Sequence, residues 1–94
     1  MAVSLASRVT VPPSVLVSNV GEESVLLNLD SERYFGLDAT GTRMWEVLNN
    51  SATVQAAYET LLAEFEVDAE RLQLDLFELV EKLKDHGLIE VADE

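Results

Sequence analysis

Apolar and polar positions alternate with a period of two through the first third of the chain and then adopt a helical period, which predicts strands first and helices afterwards. Short β-prone runs occupy residues 9–11, Val15–Val20, residues 24–29 and Arg33–Leu37. Between them lie Pro12-Pro13, Gly21-Glu22-Glu23 and Asp30-Ser31-Glu32. Proline lacks a ladder donor, and Gly, Asp and Ser favour turns, so the runs read as a meander of antiparallel strands. From Asp38 onward Met44, Trp45 and Leu48 mark the buried side of a first helix, capped by Asp38 or Thr40 and ended by Asn49-Asn50-Ser51. Val54, Ala57, Tyr58, Leu61, Leu62 and Phe65 then repeat at i, i+3, i+4, i+7, i+8 and i+11, the spacing of one helical face. A third helix starts with Asp68 as its cap and stops at His86-Gly87, after which Leu88-Ile89-Glu90-Val91 suits a short terminal strand. The expected fold is therefore α+β and winged-helix-like, a three-stranded antiparallel sheet followed by three helices. One domain should span residues 1–94, with residues 1–8 flexible.

The third helix carries more apolar surface than a core requires. At about 100° per residue, Leu72, Leu76, Leu79, Val80 and Leu83 form a stripe about 100° wide, while Phe77 lies about 120° and Leu74 about 180° from its centre. Isolated exposed apolar residues are common, but this pair, with Val80 and the charged rim of Glu81 and Lys84, also suits one wall of a groove. The strand Arg33–Leu37 suits the floor. Its residues are β-prone, and Gly36 lets another backbone approach closely. Strand alternation puts Arg33, Phe35 and Leu37 on one face and Tyr34 on the other. Micromolar to nanomolar binding requires about 8–12 kcal/mol net. Some five backbone hydrogen bonds at about 1 kcal/mol each fall short, so two or three apolar anchors at about 1.5–3 kcal/mol each must join them.

Composition narrows the ligand. Eighteen acidic residues against six basic ones give a net charge of -12, which repels phosphate backbones and anionic membranes and leaves a basic or neutral peptide as the favoured partner. The same charge favours a monomer. There are no cysteines, so thiol chemistry and thiolate metal sites are excluded. The start Met1-Ala2-Val3-Ser4-Leu5-Ala6-Ser7-Arg8 lacks the pattern of a signal peptide, and no run spans a bilayer, so a cytoplasmic location is expected.

Catalytic constellations are missing from the sequence. The single histidine, His86, has no nucleophile or ligand cluster near it, and a helix end explains it. The carboxylates follow neither an EF-hand nor an HExxH pattern, and Gly21, Gly36, Gly41 and Gly87 are too dispersed for a phosphate loop. Asp30-Ser31 is followed by Glu32 between strands, which is not the attachment site of an acyl carrier. Neither enzyme activity nor a cofactor or metal is expected. A DNA-binding winged helix would need a basic recognition helix, whereas the third helix has Arg71, Lys82 and Lys84 against six acids from Asp68 to Asp85.

The run Arg33-Tyr34-Phe35-Gly36-Leu37-Asp38-Ala39-Thr40-Gly41-Thr42-Arg43-Met44-Trp45 resembles the signature of the PqqD-like domains, also called RiPP recognition elements, as does the tail Leu83-Lys84-Asp85-His86-Gly87-Leu88-Ile89. The likeness extends from about Val15 to Ile89. Asp38 stands where family members usually have Asn, and both cap helices well. The resemblance implies a winged-helix-like adaptor that pairs the leader of a ribosomally synthesised precursor with one strand, in a cleft bordered by the third helix, and presents it to modifying enzymes. Carried onto this sequence, the peptide-binding positions are Arg33, Tyr34, Phe35, Gly36 and Leu37 on the strand and Leu74, Asp75, Phe77, Glu78, Glu81 and Lys84 on the helix. The chain looks most like the separate leader-binding protein of lasso-peptide pathways, which works with a cysteine-protease leader peptidase and a cyclase. The resemblance also admits a peptide chaperone for pyrroloquinoline quinone synthesis or another radical-enzyme pathway.

Overall fold

A computed structural model describes residues 4–92. In chain order the elements are β1 (Arg8–Thr10), β2 (Val15–Val20), β3 (Glu23–Asn28), β4 (Arg33–Leu37), α1 (Ala39–Asn49), α2 (Val54–Glu64), α3 (Ala69–Asp85) and β5 (Glu90–Ala92). The α+β order expected from the sequence is present. β2, β3 and β4 form one antiparallel sheet in that spatial order, while β1 and β5 pair separately, with Val9 opposite Val91.

Side-chain alternation gives the three-stranded sheet two unequal faces. Ser24, Leu26 and Asn28 of β3 point inward and are buried, together with Val15 of β2 and Leu37 of β4. The helices close over this face. Met44, Trp45, Val47 and Leu48 of α1, Val54, Ala57 and Leu61 of α2, and Leu72, Leu76, Val80 and Leu83 of α3 complete one core with Leu88 and Ile89. Leu79, expected in the α3 stripe, is only half-buried at its margin.

Local chemistry sets the helix ends. The Asp38 side chain accepts from the Gly41 amide at 2.8 Å, so Asp38 rather than Thr40 caps α1. Thr53 does the same for α2, accepting from Ala56 at 3.1 Å. Two more amides at the start of α2 are taken by residues ahead of β1, as Val54 and Gln55 donate to the carbonyls of Ser7 and Leu5. Ser4–Ser7 is thereby tied to the fold, and Ser7 is fully buried; residues 1–3 lie outside the described residues. Asp68 occupies the N-cap of α3 but makes no side-chain cap bond, so its contribution there is charge beside the helix terminus. Across α1 and α2, Arg43 grips Glu64 through two bonds of 2.8 Å and holds its carboxyl below the usual carboxylate range.

The join between sheet and last helix rests on Asn28. Its side-chain oxygen accepts from the amides of Asp30 and Ser31 at 2.9 and 3.2 Å, and its nitrogen donates to the Gly87 carbonyl at 2.6 Å. Gly87 can stand there because it ends α3 at φ 71°, with Leu88 donating to Leu83 and Gly87 to Lys84 in the pattern of a glycine-terminated helix. Asn28→Ala should lower stability by about 1–3 kcal/mol, since three bonds made by a buried side chain vanish. Urea unfolding followed by circular dichroism checks this.

Candidate functional site

β4 is an edge strand, and the register shows which of its backbone groups point outward. The Leu29 amide donates to the Ser14 carbonyl at 2.9 Å, so at Leu29 the backbone of this segment faces β2. Backbone direction alternates from residue to residue, which turns Asn28, Leu26 and Ser24 toward β4. Their partners Arg33, Phe35 and Leu37 therefore spend their N–H and C=O groups on β3. Tyr34 and Gly36 present theirs to the open edge. No described strand covers them. The edge offers four hydrogen-bonding groups rather than the five estimated from sequence, which makes apolar anchors still more necessary.

The two faces of β4 differ as alternation requires. Leu37 is buried and Phe35 half-buried on the inner face, whereas Tyr34 is 73% exposed on the outer one. Phe35 meets the end of α3, where its ring lies 5.0 Å from that of His86. His86 is itself held by a 2.8 Å bond between Nδ1 and the Lys82 carbonyl. A carbonyl only accepts, so Nδ1 carries the proton and Nε2 of the neutral ring is an acceptor. His86 was not among the residues expected at the site; its contact with Phe35 joins positions far apart in sequence and leaves no local signal.

Along α3 the expected residues divide. Leu74, Phe77, Glu81 and Lys84 fall within an arc of about 80°, forming one flank. Phe77 packs against the core at its margin, and Leu74 is 65% exposed beside Glu70 and Gln73, with which it lines an open depression of about 340 Å³. Glu78 lies about 80° and Asp75 about 140° from the centre of that flank. Asp75 is engaged by Arg71 at 3.1 Å. Leu74 is twelve residues from His86, about 18 Å along the helix, so the strand and the exposed apolar part of α3 bracket a length comparable to β4 itself. Among the described residues no group of three or more His, Cys, Asp or Glu could hold a metal ion, and no helix is long and apolar enough to cross a membrane.

Comparison with known proteins places this architecture. The family model described as coenzyme PQQ synthesis protein D (PqqD) matches residues 23–89. The chain belongs to the PqqD family. As a PqqD-family domain it is similar to two solved structures. One is TbiB1 in complex with the TbiA(beta) leader peptide, with a TM-score of 0.78, 31% identity, and coverage of 85% of this chain and 93% of that one. The other is lasso peptide synthetase B1 complexed with the leader peptide, with a TM-score of 0.78 and 24% identity over 88% and 98% of the chains, a likeness of fold. Among curated proteins there is no match. The PqqD signature found in the sequence, Arg33 to Trp45, coincides with the edge strand and the first turns of α1.

Exposure sets what each side chain near this edge contributes to stability. Tyr34→Ser and Leu74→Ser should each change unfolding free energy by less than about 0.5 kcal/mol. Phe77→Ala should cost about 1–3 kcal/mol, since half its ring is packed. Urea midpoints of the three variants measure the difference.

Proposed function

We propose that this chain is a non-catalytic adaptor, a RiPP recognition element that binds the leader of a ribosomally synthesised precursor by strand addition to β4 and delivers it to a leader peptidase in lasso-peptide biosynthesis. The observation that carries this reading is the open edge at Tyr34 and Gly36, on a chain 31% identical to a protein whose structure holds a leader peptide. An extended peptide there would gain four backbone bonds and put alternate side chains on the two faces of the sheet. Inward-facing side chains would lie toward Phe35, His86 and the α3 flank of Leu74, Phe77, Glu81 and Lys84. Arg33 and Leu37 would bound the paired segment, and Asp75 and Glu78 would contribute charge outside the apolar contact.

The remaining partners follow from the same reading. With no nucleophile–base–metal constellation to cleave or join the precursor, the chain would act on a peptide that a cysteine-protease leader peptidase then cuts. Its charge of -12 supports a monomer in the cytoplasm that avoids nucleic acid and membranes. A second reading, a peptide chaperone for pyrroloquinoline quinone synthesis, draws support from the family description. Neighbouring genes separate the two: a transglutaminase-like peptidase and an asparagine-synthetase-like cyclase belong with the first.

The test is a titration of the fluorescein-labelled leader from the neighbouring precursor gene into wild type, Tyr34→Ala and Phe77→Ala, followed by anisotropy. At least one variant should bind about tenfold or more weakly while remaining folded. Unchanged affinity in both contradicts the groove. In a companion assay, the pathway's peptidase should cleave full-length precursor faster when the chain is added, and the chain alone should leave the precursor intact.

A further inference from the structure

The outer face of the three-stranded sheet has a gap at Gly36. Leu16, Val20, Val25, Leu27 and Tyr34 all point to this face, and Val20, Val25 and Tyr34 are 68%, 40% and 73% exposed. No helix covers them, because α1, α2 and α3 pack on the other side. Gly36 sits opposite Val25 in the register, and a Cβ built on it would meet nothing within 4 Å. The result is an open depression of about 410 Å³, lined by Val20, Val25 and Gly36, by the acidic residues Glu23 and Asp38, and by Ser24 and Leu37.

The backbone of Gly36 does not itself require glycine, since its φ is not in the left-handed region. Glycine in a strand costs about 0.5–1 kcal/mol relative to alanine, through chain entropy and lost packing. On this edge nothing within the described chain offsets that cost. A large side chain on a paired strand does, by lying across the glycine and burying the apolar atoms around it.

We propose that the depression over Gly36 is a subsite for one bulky apolar side chain, aromatic or branched, carried by the peptide residue that pairs beside Gly36. The proposal rests on the peptide-pairing reading of β4 and deepens it, because the bound peptide is then read on both faces of the sheet. A residue beside Gly36 shares the outer face with Tyr34 and Val25. Its ring or branched end reaches Val25 across the sheet and Tyr34 on the diagonal, at about 7–8 Å between backbones. The acidic lining residues Glu23 and Asp38 and the charge of -12 disfavour an acidic residue there. The exposed methyl groups of Val20 and Val25 favour an apolar one.

The test is a double-mutant cycle between the protein and the labelled leader of the neighbouring precursor gene. Gly36→Ala should fold with an unchanged or higher urea midpoint, and Gly36→Val should fold and bind the leader about tenfold or more weakly. An alanine scan of the leader should then find one large apolar position whose truncation weakens binding to wild type but has little effect on Gly36→Val. Equal binding by wild type and Gly36→Val overturns the subsite and leaves strand pairing standing. So does a uniform loss across the scan with no coupled position, which would mean that glycine serves only close backbone approach, or coupling confined to a basic position. No binding by wild type at all overturns the pairing reading and the subsite with it.

Discussion

The side chain of Asn28 joins the end of β3 and the turn that leads into β4 to a segment 59 residues away, the terminus of α3 at Gly87. Every other feature of the edge depends on that junction. The Asn28 oxygen shapes the turn, in which Glu32 adopts φ 60°, and the turn sets the register of β4 on β3. The Asn28 nitrogen fixes the α3 terminus against the same strand, which puts His86 beside Phe35. Gly87 meets two demands at once, since its φ of 71° suits glycine and a Cβ there would stand 3.3 Å from the Asn28 nitrogen. An edge strand and the end of a helix are thus joined through the hydrogen bonds of one buried side chain, whose polar atoms would be costly to leave unpaired.

An open edge is ordinarily an aggregation hazard, and the chain limits it by means that leave the edge accessible. β4 is five residues long, begins with Arg33, and runs directly into the α1 cap at Asp38. A charge of -12 opposes contact between copies of the chain. Only Tyr34 and Gly36 point their backbone groups outward, too few for stable pairing without side-chain anchors. Under the proposed pairing the two faces would supply such anchors differently: the inner one through Phe35, His86 and the α3 flank, the outer one through Tyr34, Val25 and the gap at Gly36. On that reading, specificity for a peptide would reside in side chains while the backbone supplies orientation.

Much of the fold was legible because it rests on periodicity and turn chemistry. The two-residue period through β2, β3 and β4, the spacing of Val54, Ala57 and Leu61, and the His86-Gly87 stop all act locally, and each element lies where they point. The surplus apolar residue Leu74 was legible for the same reason, since a helical stripe has a computable width. Asn28 was not. It falls within the expected strand at residues 24–29 with nothing to single it out, and its partner lies 59 residues away. The contact between His86 and Phe35 was hidden likewise, and the pairing of β1 with β5 needs both ends of the chain at once. Strand alternation separated Tyr34 from Phe35 correctly, but which backbone groups remain open required the bond from Leu29 to Ser14. Asp68 failed as a side-chain cap although its position was right, because a cap also needs the side chain turned onto the helix amides.

Hydrogen exchange of the β4 amides, read residue by residue with and without saturating leader peptide, addresses the open edge directly. In the free chain Phe35 and Leu37 should exchange slowly and Tyr34 and Gly36 fast, because only the former donate to β3. With the leader bound, Tyr34 and Gly36 should become protected while Phe35 and Leu37 change little. Unaltered exchange at Tyr34 and Gly36 under saturation, with new protection along Val17 and Asn19 on the other edge of the sheet or outside the sheet altogether, would contradict strand addition at β4.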